Sequence, residues 1–155
     1  MKIKTDLIEL HVFMIVNSEL LFLLLKRSAK KIYPGIWQMV SGHINKGETA
    51  VQTALRELKE ETGLNPFRLW VAPNVNSFYS PDDDSITMIP VFAVQVNHNK
   101  VLISDEHTEF RWVNLEEAKT LLAWEGQRRS VDIIKEYFTN QKSFLKFTEI
   151  LSGLK

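Results

Sequence analysis

Three glutamates, Glu57, Glu60 and Glu61, stand at i, i+3 and i+4. On a helix these offsets bring carboxylates to one side, a turn apart. Like charges held this closely repel, so a helix gains no stability by choosing them. A hard divalent cation reverses the balance, because Mg²⁺ is held by carboxylate oxygens together with water and substrate phosphates. The pattern therefore suits capture of a cation and, through it, of a phosphate-bearing ligand. An ordinary Glu-rich surface helix is the plain alternative. It leaves unexplained the glycines that punctuate residues 42–64 and the arginine, Arg56, beside Glu57.

Those carboxylates need a helix to carry them, and the surrounding residues predict one. Thr49 followed by Gln52 is a capping-box pair at its start. Val51, Ala54, Leu55 and Leu58 form an apolar stripe at helical spacing, about 100° around the axis from the acids. One side is thus expected to pack into a core while the other meets solvent or ligand. Gly63 stands where a left-handed C-terminal residue ends a helix. Gly42 and Gly47 bracket a loop able to bring backbone close to an anion.

Gly42, Glu48, Arg56-Glu57-Leu58, Glu60-Glu61 and Gly63-Leu64 together match, with no position missing, the box of the Nudix hydrolases, and the stretch resembles that family. So many specified positions at fixed spacing are far more selective than a lone Gly-rich triplet. The resemblance implies an α+β fold, an α/β/α sandwich with a mixed β-sheet between helices, and carboxylates that present divalent cations, usually Mg²⁺ with Mn²⁺ as a substitute, to a diphosphate linkage. It implies Glu57, Glu60 and Glu61 as metal ligands, with the Gly42 carbonyl as a further one. Arg56 is expected to hold a box glutamate in place, and Glu48 to brace the loop or ligate through water. One departure stands out. Many relatives carry Pro-Gly-Gly shortly after a Trp, and Val40-Ser41-Gly42 occupies that place here.

Composition sets the wider bounds. At 155 residues the chain is long enough for one domain with a real core, and residues 1–155 are read as a single domain. A hydrophobic share of 45% with 25% charged is ordinary globular usage. Net charge is zero, which gives no sign of a general binder of nucleic acid or membrane surfaces. Without cysteine there is neither a disulfide framework nor a thiolate metal site. The longest apolar run near the N-terminus, residues 20–25, is far too short for a membrane span. No signal-peptide pattern is seen, and a cytoplasmic location is expected.

Along the chain, residues 7–16 and 20–25 read as strands joined by a turn at Asn17-Ser18-Glu19. The second empties into Lys26, Arg27, Lys30 and Lys31, a basic cluster that is either a solvated rim or a phosphate contact. Arg27 is its leading candidate, since a guanidinium grips phosphate in two places. Tyr33-Pro34-Gly35 is a turn before Trp37, which either packs or stacks on a substrate base. Residues 38–41 form a short strand into Gly42, and Ser41 is read as substrate-facing. Residues 67–71 and 75–80 are strand-like, broken near Pro73. Residues 81–85 form a turn whose three aspartates are read as a solvated tip rather than a cation site. Residues 86–96 form a long strand in which Pro90 demands an edge or a bulge. Asn114 caps a helix running to Leu122, Trp124-Glu125-Gly126 breaks it, residues 127–138 form a second amphipathic helix, and 144–151 a further helical piece.

Glu106-His107, with Phe110 and Trp112 following, resembles a pattern in the dihydroneopterin triphosphate and nucleoside triphosphate pyrophosphatase branch of the Nudix family. That resemblance places Glu106 in the site, as general base or additional ligand. It also leaves Trp124, Gln127 and Arg128 as candidates for the pocket border, with core packing preferred for Trp124. The implied activity is Mg²⁺-dependent cleavage of a nucleoside or pterin triphosphate to monophosphate and pyrophosphate. Hydrolysis of ADP-ribose, a nucleotide sugar or a dinucleotide polyphosphate is the second expectation. A nucleotide-binding regulatory module without turnover is the third. The expected partner is a small-molecule nucleotide or pterin phosphate, with no nucleic acid and no membrane. Either a monomer or a homodimer is compatible with the sequence.

Overall fold

The computed structural model describes residues 1–152; residues 153–155, the tail of the expected 1–155 domain, lie outside the described residues. In chain order the elements are β1 (Lys2–Lys4), β2 (Leu7–Val16), β3 (Glu19–Arg27), β4 (Trp37–Gln38), β5 (Val40–His43), α1 (Ala50–Thr62), β6 (Arg68–Ser80), β7 (Ser85–Gln95), β8 (His107–Val113), α2 (Leu115–Leu121), α3 (Glu125–Asn140), a 3₁₀ turn (Lys142–Phe147) and β9 (Glu149–Ser152). The strands make one mixed sheet with the path β4-β3-β2-β7-β6-β9. Off that path β1 pairs with β7, β5 with β2 and β8 with β3. The β1–β7 and β2–β7 ladders are parallel, and the other ladders between these strands are antiparallel.

Side-chain alternation splits the core in two. On β2, Ile8, Leu10 and Val12 face the layer that holds Ala54 and Leu58 of α1. Phe13, one step out of phase, joins Trp70, Val131, Ile134 and Phe138 under α3. The sheet therefore lies between α1 on one face and α2 with α3 on the other, the sandwich that the Nudix resemblance implies. The two aromatic edges of Phe138, 4.7 Å from the Phe13 ring and 4.6 Å from Trp70, pin α3 to its face.

Local chemistry accounts for the joints. Asn17 and Ser18 both adopt positive φ, the conformation of a tight two-residue hairpin turn. β6 is one strand rather than two, with its register shifting between Val71 and Val75. That shift lies opposite Pro90, which sits between the segment of β7 paired with β1 and the segment paired with β2. A proline without an N–H is thereby tolerated in a central strand, through a bulge and not an edge. Asp83 pairs with Lys4 and Ser85, and Asp84 with Tyr79 and the N-terminal amine, so these two turn aspartates are already engaged.

Two expectations are corrected. Of residues 144–151 only 144–147 are helical, as the end of a 3₁₀ helix, Lys142–Phe147; the chain then enters β9, which closes the edge of β6 with Arg68 paired to Glu149. The break between α2 and α3 falls at residues 122–124, and Glu125 and Gly126 already belong to α3. A glycine is needed at position 126, where a Cβ would overlap the Asn76 amide. The strands β1 and β8 were not anticipated. Among the described residues no helix is long and apolar enough to cross a membrane.

Candidate active site

The site forms where α1 lies across the sheet beside β5. The helix begins as its sequence predicts, with Thr49 accepting from the Gln52 N–H and the Gln52 side chain accepting from the Thr49 N–H. It ends on Gly63 in the left-handed region, φ 71°. Between these caps the helix is rigidly placed by Ala54 and Leu58, both fully buried.

The three box glutamates do not share one exposed side, which corrects the simple projection. Glu57 and Glu61 are buried, while the Glu60 side chain is 58% exposed. The Glu57 carboxyl group lies against Gly42, so closely that a Cβ at Gly42 would overlap it. Glu61 accepts a hydrogen bond from the Ser41 backbone N–H at 3.2 Å. Two acids from the helix thus meet β5 at consecutive residues, Ser41 and Gly42. Ser41 enters this contact through its backbone, which is all the structure gives for the substrate-facing role expected of it.

Arg56 organises the other flank. Its Nε and Nη2 donate to Glu48 at 2.8 and 2.9 Å, its Nη1 to Glu57 at 2.7 Å and to Glu60 at 3.0 Å, and its Nη2 also to the His43 carbonyl at 3.0 Å. Glu48 additionally accepts from Thr53 Oγ1 and from the Asn45 N–H, and these bonds, that of Arg56 first, hold its carboxyl down at about pKa 2. Glu48 is therefore a brace for Arg56 and for the loop.

Electrostatics separate the acids. Burial, and then the charges of Glu57 and Glu106, push the Glu61 carboxyl up to about pKa 9. Burial also raises Glu57, against the pull of Arg56. Acids crowded out of water in this way are short of positive charge. All their donor atoms are oxygens, the donor type that Mg²⁺ requires, and the glycine at residue 42 leaves the Glu57 carboxyl room to reach the strand. The residues fit a hard divalent cation. Among the described residues, no three acid or imidazole groups converge on one point; Arg56 pairs with Glu57 and Glu60, and Lys31 with Glu106.

A pH prediction follows for the metal-free protein. The folded Glu61 keeps its proton to about pH 9, whereas the unfolded chain loses it near the ordinary value of 4.5. Across that interval the folded state binds more protons, so stability falls as pH rises, by at most about 1.4 kcal/mol per pH unit for one such group. His11 and His107, held neutral by burial at about pKa 3 and 4, act only on the acid side of 6.5. The thermal midpoint in a chelator should therefore drop between pH 6.5 and 9. Added Mg²⁺ should raise it more at pH 8.5 than at pH 6. A flat profile in chelator would contradict this reading of Glu61.

The remaining sequence candidates sit around this centre. Glu106 lies at the rim, its carboxylate 3.0 Å from Lys31 Nζ. Arg27 is half-buried, with Nε donating to the Ile32 carbonyl at 2.7 Å and Nη1 to Gln38 at 3.0 Å, so two of its guanidinium nitrogens are engaged within the protein. Trp37 is buried, with the Arg111 guanidinium 4.8 Å from its ring and Lys26 on it too, so it packs instead of offering a face to a base. Trp124 is 47% exposed and meets Tyr33 edge-on at 5.5 Å, so the core packing preferred for it is corrected. Arg128 caps the end of α2 through the Leu122 and Ala123 carbonyls. The sequence does not single out Gln38, nor His107 beyond its place in the Glu106-His107 pair. The structure places His107 beside Glu61, with Nε2 3.6 Å from its Oε1, and Gln38 against the same ring nitrogen at 3.2 Å.

Comparison with known proteins places this geometry in context. The family model described as NUDIX domain matches residues 9–134. The chain is 32% identical over 120 residues to the asymmetrical bis(5'-nucleosyl)-tetraphosphatase of Mus musculus, covering 74% of this chain and 78% of that protein. It is 24% identical over 112 residues to the dihydroneopterin triphosphate diphosphatase of Escherichia coli, covering 64% and 74% of the two chains. A crystal structure from Listeria monocytogenes, provisionally assigned as a NUDIX hydrolase, superposes with a TM-score of 0.75 at 24% identity. The superposition covers 89% of this chain and 97% of that one, and it speaks for the fold.

Proposed function

Because this chain belongs to the NUDIX family, we propose that it is a divalent-cation-dependent hydrolase of a nucleoside polyphosphate, with the phosphoanhydride held against Glu57 and Glu61. The observation that carries the proposal is the meeting of these two buried acids with Ser41 and Gly42 of β5. A bound cation would neutralise phosphate charge and acidify a coordinated water. The chain's own groups do the rest. Glu57 and Glu61 are the main oxygen donors, Glu60 an outer one, and the Gly42 carbonyl an additional donor on the strand. Arg56 fixes the Glu57 rotamer and is itself fixed by Glu48. Glu106, at the exposed rim, takes the proton of the attacking water. Positioning and charge stabilisation then supply most of the rate, as phosphoryl transfer requires.

For the substrate we place a dinucleoside polyphosphate first. The mouse tetraphosphatase is the more similar of the two curated relatives, and it matches across most of both chains. Water then cuts asymmetrically, and a tetraphosphate yields a nucleoside monophosphate and a nucleoside triphosphate. The second reading, a nucleoside or pterin triphosphate cut to monophosphate and pyrophosphate, is favoured by Glu106-His107 with Phe110 and Trp112 and by the Escherichia coli relative. We read the chain as one domain using Mg²⁺, with Mn²⁺ able to replace it. The products decide between the readings. With Mg²⁺ present, a dinucleoside tetraphosphate should release mono- and triphosphate with a higher kcat/KM than any triphosphate releases pyrophosphate. The reverse order would favour the second reading. Tight nucleotide binding without either product would favour a regulatory module and overturn the enzymatic proposal.

A further inference from the structure

The arginine at the centre of the site has no donor left for a substrate. A guanidinium carries five N–H bonds, and in Arg56 Glu48, Glu57, Glu60 and the His43 carbonyl receive all of them. A polyphosphate brings more negative charge than one divalent cation offsets, so positive groups are needed on the remaining oxygens. The second source of positive charge is the end of β3 and the loop of residues 28–36, with Lys26, Arg27, Lys30 and Lys31. Lys26 pairs with Glu109 at 3.2 Å and lies over the Trp37 ring. Arg27 donates to the Ile32 carbonyl and to Gln38. Lys30 is exposed. Among the described residues, Lys31 is the one member of this cluster that touches an acid assigned to the site, with Nζ 3.0 Å from Glu106 Oε1.

The backbone fixes this meeting. The Lys31 N–H donates to the Ser28 carbonyl at 3.2 Å, and the Ser28 N–H donates to the Glu106 carbonyl at 2.9 Å. The turn that carries the lysine is thus fastened to the residue whose carboxylate the lysine meets. Glu106 in turn lies close enough to Glu57 and Glu61 for its charge to add to burial in raising both carboxyl groups. The Lys31 ammonium therefore stands beside the acids of the site. There it opposes the role of Glu106, because an ammonium held on Oε1 engages the electron pair that a proton acceptor has to offer. The opposition ends if the contact is temporary. Both side chains are partly open to water, 40% for Lys31 and 45% for Glu106, and one hydrogen bond joins them. A pair this exposed is worth at most about fivefold in an equilibrium. The flexible four-carbon stem of lysine lets Nζ swing while the turn stays in place.

We propose that Lys31 is a substrate-binding residue whose ammonium leaves Glu106 for a phosphate of the substrate, so that the carboxylate is freed to accept a proton once the anhydride is in place. The release step rests on Glu106 taking the proton of the attacking water, as proposed above. No covalent bond changes in the exchange: the Lys31–Glu106 pair is replaced by a Lys31–phosphate pair, and the freed carboxylate then receives the water proton. Lys31 gives the phosphate the positive charge that Arg56, fully engaged, cannot give.

The test is binding of a non-hydrolysable dinucleoside tetraphosphate to the full chain in Mg²⁺ by calorimetry, beside steady-state kinetics on the hydrolysable tetraphosphate. Lys31→Met should weaken binding of the analogue and raise KM, each by about tenfold. Lys31→Arg should recover most of both, since a guanidinium also grips phosphate. Inorganic tripolyphosphate as a competitive inhibitor should lose the same factor in Lys31→Met, which ties the effect to phosphate whichever nucleotide is the substrate. Glu106→Gln should bind the analogue more tightly than wild type, by up to about fivefold, because no ion pair has to break first. Adding Lys31→Met to Glu106→Gln should again weaken binding by about tenfold or more. Unchanged affinity in Lys31→Met would overturn the proposal. A loss seen with Glu106 present but absent from the Glu106→Gln protein would overturn it too, by showing that Lys31 serves only to hold Glu106. Wild-type kcat in Glu106→Gln would overturn the proton-acceptor reading and the release step with it, whereas a tenfold loss of tripolyphosphate affinity in Lys31→Met would still support the phosphate contact.

Discussion

Glu61→Gln is expected to lower kcat by about 10³-fold while leaving the protein folded and, without metal, at least as stable above pH 7. The two halves of this prediction have one cause. Glu61 is 2% exposed and crowded by the charges of Glu57 and Glu106, which is why its carboxyl holds its proton to about pH 9. An amide of the same shape is neutral at every pH. It escapes the cost of ionising in that place, and it cannot supply the anionic oxygen that a cation needs. Loss of function with a gain in stability separates a site acid from a structural one. Glu60→Gln should be milder, about tenfold, because its side chain is exposed and reaches outward to Arg56. Glu106→Gln should lower kcat by about 10²-fold or more and leave Mn²⁺ affinity close to wild type, if its role is to take the proton. Turnover, thermal midpoints in chelator and Mn²⁺ titration check all three. A Glu61→Gln protein with near wild-type turnover would remove this acid from the mechanism.

Gly42→Ala is the second change with a large expected effect, about 10²-fold in kcat. The added Cβ has no room. It would overlap Cγ, Cδ and Oε1 of Glu57. The atoms in the way are the far end of a flexible side chain, so the protein can yield by swinging the carboxyl group aside. Stability should then fall by less than about 1 kcal/mol, while the displaced Glu57 loses both its Arg56 contact and its place beside the strand. Weakened Mn²⁺ binding with a nearly unchanged thermal midpoint is the expected pattern. A folded variant that binds Mn²⁺ as wild type does would show that the close approach of Glu57 to Gly42 has no part in the site, and one that unfolds would show that the Glu57 side chain cannot swing aside.

How far this site can be read from residues alone depends on the range of the interactions. The α1 helix was legible because its signals are local: the Thr49–Gln52 box, the Ala54 and Leu58 stripe and the Gly63 cap all act within a turn. The box glutamates were legible because i, i+3 and i+4 repulsion demands a reason. What spacing could not give is which acids face inward. A helical projection knows only the axis, whereas the tilt of α1 over β5 buries Glu57 and Glu61 and leaves Glu60 outside. The partners of Arg27 and the exposure of Trp124 were hidden for the same reason, as they depend on how the 28–36 loop folds back on the sheet. The strand β8 went unanticipated because its alternation is weak, and β9 because residues 144–151 carry both helical and strand tendencies that only the open edge of β6 resolves. Gln38 offers no signal in one sequence; a lone buried amide becomes meaningful only when His107 is seen beside it.

The central claim is that Glu57 and Glu61 jointly hold a divalent cation against a phosphoanhydride. The most direct test is Mn²⁺ binding to the wild-type chain and to the Glu57→Gln/Glu61→Gln double variant, each with and without a non-hydrolysable dinucleoside polyphosphate. The account predicts that wild type binds Mn²⁺, more tightly with the nucleotide present, and that the folded double variant loses both the binding and the enhancement. Binding of equal strength and equal nucleotide dependence in the double variant would contradict it.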